Sequence, residues 1–157
     1  MGSNSIIVSE YLQSLKEDKE LDHLFPMLLV LMGFKIKSTP IHSKGQSQYG
    51  KDVIAVGMKD GVKKRFYFEI KGHSDKDIDD TSFNKKDGIR ESILAAKDTP
   101  FEDKSDAEFN KLPVEIVTVH NGIIKENFRP QFNGFISREF PDGNFQDWDI
   151  YKLTDLF

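Results

Sequence analysis

The chain has 157 residues, 38% hydrophobic and 31% charged, a length that suits one domain and a composition that buries a core. Its lack of cysteine excludes disulfides and thiolate metal sites and fits a reducing cytoplasm. The formal net charge of -4 argues against a grip on nucleic acid through bulk positive charge, though not against a local basic patch beside an acidic metal site.

Residues 3–19 carry apolar side chains at helical spacing and predict a first helix. Residues 20–32 predict a second, mostly buried one, with Leu21, Leu24, Phe25, Leu28, Leu29 and Leu31 nearly filling its circumference and Gly33 ending it. The apolar run at 25–34 is broken by Pro26 and Gly33 and is too short to span a membrane, and no secretory signal opens the chain. A short strand at 34–40 and a polar loop at 42–50, HSKGQSQYG, follow.

The apolar segment 52–58, DVIAVGM, predicts a central strand, and Lys59-Asp60-Gly61 a hairpin turn of the kind Asp-Gly favours. The returning strand, 64–71, is then antiparallel to the first. A polar, acidic stretch at 72–80 leads to a predicted helix at 83–97 and a charged loop at 99–111. VEIVTV at 114–119 reads as a buried strand and is turned by His120-Asn121-Gly122, before a helix that starts near 125 or 130 and ends at 138. DWDIYKL should hold a last strand, with a helix beginning at Thr154-Asp155 as the sequence given stops. That pattern is expected of the N-terminal part of a longer protein. The four histidines, His23, His42, His73 and His120, have no zinc-site spacing and read as surface or turn residues. Asp75, Asp77 and Asp79 alternate like the front of a calcium loop, but Asp80 and Lys86 stand where Gly and Glu are required, so an EF-hand is rejected.

The stretch FYFEIKG at 66–72 carries the chemistry. Alternation puts Tyr67, Glu69 and Lys71 on one face of the strand and Phe66, Phe68 and Ile70 on the other. On its own, Glu69-x-Lys71 equally describes an ordinary ion pair on a solvent-facing strand. The glycine loop, however, delivers Asp52 at the head of the partner strand, so two carboxylates from different strands can meet at one end of the hairpin. With a strand carbonyl they make a hard oxygen site suited to magnesium or manganese. A lysine on the same face can orient a water or meet charge developing on a phosphate.

Gly50-Lys51-Asp52 followed by Phe68-Glu69-Ile70-Lys71 resembles the PD-(D/E)XK nuclease superfamily, in particular its Mrr-like and Holliday-junction-resolvase-like members, over residues 20–153. Lys51 stands where the first P of the motif is usually written. The resemblance implies a restriction-endonuclease-like α/β fold, a mixed central sheet with an antiparallel hairpin flanked by helices, as one domain over residues 1–157. It implies Asp52, Glu69 and Lys71 as catalytic residues and Asp52, Glu69, the Ile70 carbonyl and Asp22 as ligands of Mg2+, for which Mn2+ may substitute. Glu20 is an alternative to Asp22, and both residue types also suit a helix N-terminus. Gln48, Lys51, Lys85, Lys86 and Arg90 are the candidate DNA contacts, against a reading of Gln48 and Tyr49 as plain loop and of the basic helix as a solvated face.

The implied activity is metal-dependent hydrolysis of DNA phosphodiesters by a cytoplasmic protein with no membrane association, as the effector part of a restriction or anti-phage defence protein. The implied partners are DNA and a homodimer or higher oligomer formed through missing domains. The alternative is a catalytically silent nucleic-acid-binding or oligomerising module on the same fold. No Walker loop, G-x-S-x-G or dinucleotide fingerprint is present.

Overall fold

The computed structural model describes residues 2–15, 20–39, 52–72 and 76–156. In chain order it contains α1 (Gly2–Gln13), α2 (Asp22–Leu31), β1 (Lys35–Ser38), β2 (Val53–Lys59), β3 (Val62–Lys71), α3 (Asp80–Asn84), α4 (Ile89–Asp98), α5 (Ala107–Lys111), β4 (Val114–His120), α6 (Arg129–Glu139), β5 (Phe145–Trp148) and α7 (Ile150–Leu156). The five strands form one sheet in the order β1-β2-β3-β4-β5. The first three are antiparallel, while β3, β4 and β5 run parallel. No helix of the described residues is long and apolar enough to cross a membrane.

The β2–β3 hairpin turns as its sequence predicts. Asp60 and Gly61 both take positive φ, 51° and 79°, and Lys59 pairs with Val62. Two consecutive left-handed residues make the two-residue turn whose twist matches the strands. The register then runs unbroken to Val53 opposite Phe68.

Both faces of the sheet are covered. Phe66, Phe68 and Ile70 join Val53, Ala55, Val117, Val119 and Trp148 in a core closed by Leu12, Phe25, Leu29 and Leu153 from α1, α2 and α7. Edge-to-face contacts of Phe25 with Phe68 and Trp148 lock α2 onto the strands. On the opposite face Ile54, Tyr67 and Ile116 pack under Phe83, Ile93, Phe109, Phe132 and Phe135 from α3 to α6. Both parallel crossovers therefore lay their helices on the face that carries Glu69. The solvent-facing reading of that face is corrected: Tyr67 is 1% and Glu69 2% exposed.

Three elements differ from the sequence reading. The helix expected at 83–97 is two helices. Asp79 and Ser82 exchange hydrogen bonds in a capping box that starts α3 early. Asp87 then adopts a φ of 59°, and its N–H donates to Glu91 at 2.8 Å, opening α4. Gly88 allows this break, because a β carbon there would lie 2.7 Å from the Ser82 carbonyl oxygen. In the loop expected at 99–111, the Asp106 carboxylate accepts the Phe109 N–H and nucleates α5. At the C-terminal end the last strand is Phe145–Trp148, and most of DWDIYKL is helical in α7.

Asn121, fully buried after β4, donates its amide to the Leu12 and Leu15 carbonyls at 2.6 and 2.9 Å, so it holds the end of α1 from 106 residues or more away. Asn121→Ala leaves those buried carbonyls without their donor. It is expected to destabilise the protein by roughly 1–3 kcal/mol, read as a lower urea midpoint with unchanged m-value.

Candidate active site

Asp52 stands immediately before β2, one position beyond the Val53–Phe68 pair, and its N–H donates to the Phe68 carbonyl at 2.9 Å. Its Oδ2 accepts the Ile70 N–H at 2.7 Å. The side chain thus continues the strand ladder where a backbone carbonyl would otherwise serve, which fixes the carboxylate beside Glu69. Lys71 Nζ lies 3.4 Å from Glu69 Oε1, with its own side chain 18% exposed. Asp52, Glu69 and Lys71 are therefore gathered at one end of the hairpin, as their spacing predicts.

The electrostatics show two acids held in an unfavourable setting. Burial pushes the Glu69 carboxyl up to about 8, the Asp52 charge adds to this, and Lys71 and a hydrogen bond from Ser92 oppose it. Asp52 is also raised, by burial, against the Ile70 N–H and the Lys71 charge. Glu69 Oε2 is buried and accepts no hydrogen bond among the described residues.

Glu115, on the neighbouring strand, shows what full satisfaction looks like. It too is buried, yet Lys59, Lys64 and Gln146 all reach its oxygens. Burial would raise its pKa, but those partners bring it below the ordinary value. The fold can surround a buried glutamate with donors, and at Glu69 the described residues leave one oxygen open. Two neighbouring carboxylates with an open buried oxygen form a hard, oxygen-only donor set that fits a divalent cation such as Mg2+.

Asp22 opens α2 with a buried Oδ1, and Glu20 is exposed just before it. Among the described residues no group of three or more His, Asp or Glu side chains is placed to hold a metal ion. The Ile70 side chain lies in the core on the other face of β3. Lys85 and Lys86 are exposed in the connection from α3 to α4. Arg90 lays its guanidinium over the Phe135 ring at 5.5 Å, tying α4 to α6. Gln48, Tyr49 and Lys51 lie outside the described residues, as do His42 and His73.

The sequence reading missed Ser92, Thr118, His120 and Asp147. Ser92 sits on α4 one position before Ile93, and only its closeness to Glu69 distinguishes it from any polar helix residue. His120 is corrected from a turn or surface residue to a buried one, 1% exposed at the end of β4. Its Nε2 meets both oxygens of Asp147 at 3.0 Å and its Nδ1 meets the Lys76 carbonyl at 2.7 Å. Burial lowers its pKa, but the hydrogen bond and charge of Asp147 more than offset this and raise it. Thr118 Oγ1 also donates to Asp147. Asp77 and Asp79, rejected as calcium ligands, serve backbone N–H groups instead, at Ile123 and at the start of α3.

This architecture is a restriction-endonuclease fold. It is similar to the structure of restriction endonuclease FokI bound to DNA, with a TM-score of 0.57 at 12% identity, over 96% of this chain and 26% of that one. A second structure of restriction endonuclease FokI matches with a TM-score of 0.52, again at 12% identity and with the same coverage. The chain thus spans 26% of the length of each solved chain. No family model and no curated protein matches its sequence. At this identity the likeness concerns the fold, and the arguments for chemistry come from the side chains.

Proposed function

We propose that residues 1–157 form one metal-dependent endonuclease domain that hydrolyses DNA phosphodiesters, of the Mrr-like and Holliday-junction-resolvase-like kind. The observation that carries this reading is Glu69, buried beside Asp52 with one oxygen left open. Such a carboxylate destabilises the metal-free fold, and the same fold fully satisfies Glu115, so the open oxygen is best explained by a ligand. Asp52 and Glu69, with the Ile70 carbonyl, would hold Mg2+ or Mn2+, with Asp22 a further candidate. When bound, the cation supplies Lewis acidity toward a phosphate and acidifies a nearby water.

Lys71 has the complementary role. Its ammonium, partly exposed beside Glu69, orients the attacking water and meets the negative charge that develops on the phosphate. Lys85 and Lys86 offer contacts to the DNA backbone, and Gln48 and Lys51 are candidates for contacts nearer the scissile bond. Arg90 keeps the face of its guanidinium on Phe135 and can present the edge to the same backbone. With a net charge of -4, binding depends on this local patch and on charge compensation at the metal site. That DNA is the substrate is supported by the FokI structure solved with DNA. As the effector part of a cytoplasmic restriction or anti-phage defence protein, the domain would cut both strands only when two copies act together.

The test is cleavage of supercoiled plasmid with Mg2+, with Mn2+ and with EDTA, beside Lys71→Ala. Metal-dependent nicking or linearisation is expected, with the variant slower by roughly 100-fold or more. Absence of cleavage with either metal overturns the reading. In that case, DNA binding without turnover would support the silent binding module in its place.

A further inference from the structure

We propose that His120 is a positioning residue for Lys71, and that it acts by occupying Asp147. This deepens the nuclease reading, on which its effect on cleavage rests. In the parallel ladder Lys71 is the register partner of His120, while Glu69 pairs with Thr118 and Thr118 with Asp147. Register partners in adjacent strands project to the same face. Glu69, Thr118 and Asp147 therefore form one row across three strands, with Lys71 and His120 in the next row.

The His120 ring has acceptors on both sides, the Lys76 carbonyl at Nδ1 and the Asp147 carboxylate at Nε2. A ring nitrogen satisfies an acceptor only by donating, so both nitrogens carry protons and the ring is an imidazolium. A buried ion pair of this kind adds little stability over a packed apolar pair. Holding β4 to β5 does not by itself call for charge.

A reason for the charge lies beside it. Three carboxylates lie around Lys71 on this face: Glu69 on its own strand and Asp52 at the head of β2, both within its electrostatic reach, and Asp147 two strands away on the other side, about 10 Å across the sheet. A lysine on a flexible four-carbon stem can reach either. With both Asp147 oxygens engaged by His120, the ammonium lies 3.4 Å from Glu69. A neutral side chain at position 120 leaves the partly buried Asp147 carboxylate with the Thr118 hydroxyl but without its cation, and Lys71, in the adjacent row of the sheet, is a cation able to swing across and neutralise it, as Arg129 is from the solvent side. The same ring also holds the Lys76 carbonyl. Sequence gives no sign of this, because His120 and Asp147 lie 27 residues apart.

The deciding measurement is a crystal structure of metal-free His120→Gln. Lys71 Nζ is expected within ion-pairing distance of Asp147 and withdrawn from Glu69. Lys71 remaining beside Glu69 overturns the inference, whether or not the protein cuts DNA. Plasmid cleavage by the wild type separates the two ideas, since a silent wild type overturns the nuclease reading while the crystal structure still decides where Lys71 goes.

If the wild type cuts, His120→Gln should lower kcat by about 100-fold with KM unchanged. His120→Gln combined with Asp147→Asn should recover most of that loss, because no carboxylate on β5 remains to draw Lys71 away from Glu69 and Asp52. A purely structural role predicts that the second substitution deepens the loss, and that result overturns the inference. The double variant also keeps the test decisive if His120→Gln alone does not fold, since it removes both charges of the pair together. A double variant as inactive as Lys71→Ala overturns the inference.

Discussion

Asp52→Asn is expected to lower plasmid cleavage in Mg2+ by at least about 1,000-fold while the metal-free protein becomes more stable. The two effects share one cause. Asparagine is nearly isosteric, and its amide oxygen can still accept the Ile70 N–H that Asp52 Oδ2 accepts at 2.7 Å, so the hairpin keeps its register. The amide nitrogen then takes the place of the second oxygen, turning a donor of electron pairs into a donor of protons that repels a cation. Without the cation, the substitution also removes the charge that helps raise Glu69. Thermal melts in EDTA beside cleavage assays check both halves. A variant that melts below the wild type would show that Asp52 stabilises the fold in its own right.

The second large effect is on stability against pH. In the folded, metal-free protein the Glu69 carboxyl titrates near 8 instead of near 4.5, chiefly because it is buried. Between these values the folded state holds a proton that the unfolded state has released, so stability falls as pH rises through this window. Below 4.5 the group contributes no penalty, and above about 8 the penalty is complete, of the order of a few kcal/mol. Glu69→Gln removes the titration. In EDTA at pH 8 to 9 it should therefore melt well above the wild type, and the two should converge toward pH 5. Mg2+ or Mn2+ should stabilise the wild type more at pH 8 than at pH 6, because binding must displace the proton at the lower pH, and should leave Glu69→Gln nearly unchanged. A flat pH profile for the wild type in EDTA would falsify this account of Glu69.

How much of this was legible in the sequence depended on how local each determinant is. The hairpin was readable because Asp60-Gly61 fixes its turn and the alternation on either side fixes its register, so the meeting of Asp52, Glu69 and Lys71 followed from a short segment. The break between α3 and α4 was not, because Lys85 to Gly88 reads as a tolerable stretch of helix until Asp87 is seen in a left-handed conformation. The burial of Glu69 was invisible for another reason. Alternation assigns a residue to a face, but whether that face is wet depends on α4 and β4, which lie far along the chain. The same holds for His120, whose character is set by a carboxylate on another strand. DWDIYKL misled because its apolar residues fit either period over so short a span.

The sheet joins a locally folded half to a distantly folded half, and the seam is β3. A hairpin with a favourable two-residue turn closes within microseconds, whereas the parallel pairing of β3 with β4 must first close the long connection through α3, α4 and α5. Asp52 and Glu69 therefore meet early in folding, while water still solvates both. The cost of drying Glu69 falls on the later docking of β4 and α4. A cation that enters the open hairpin would ease that step, so a metal bound between these carboxylates would also speed the last stage of folding.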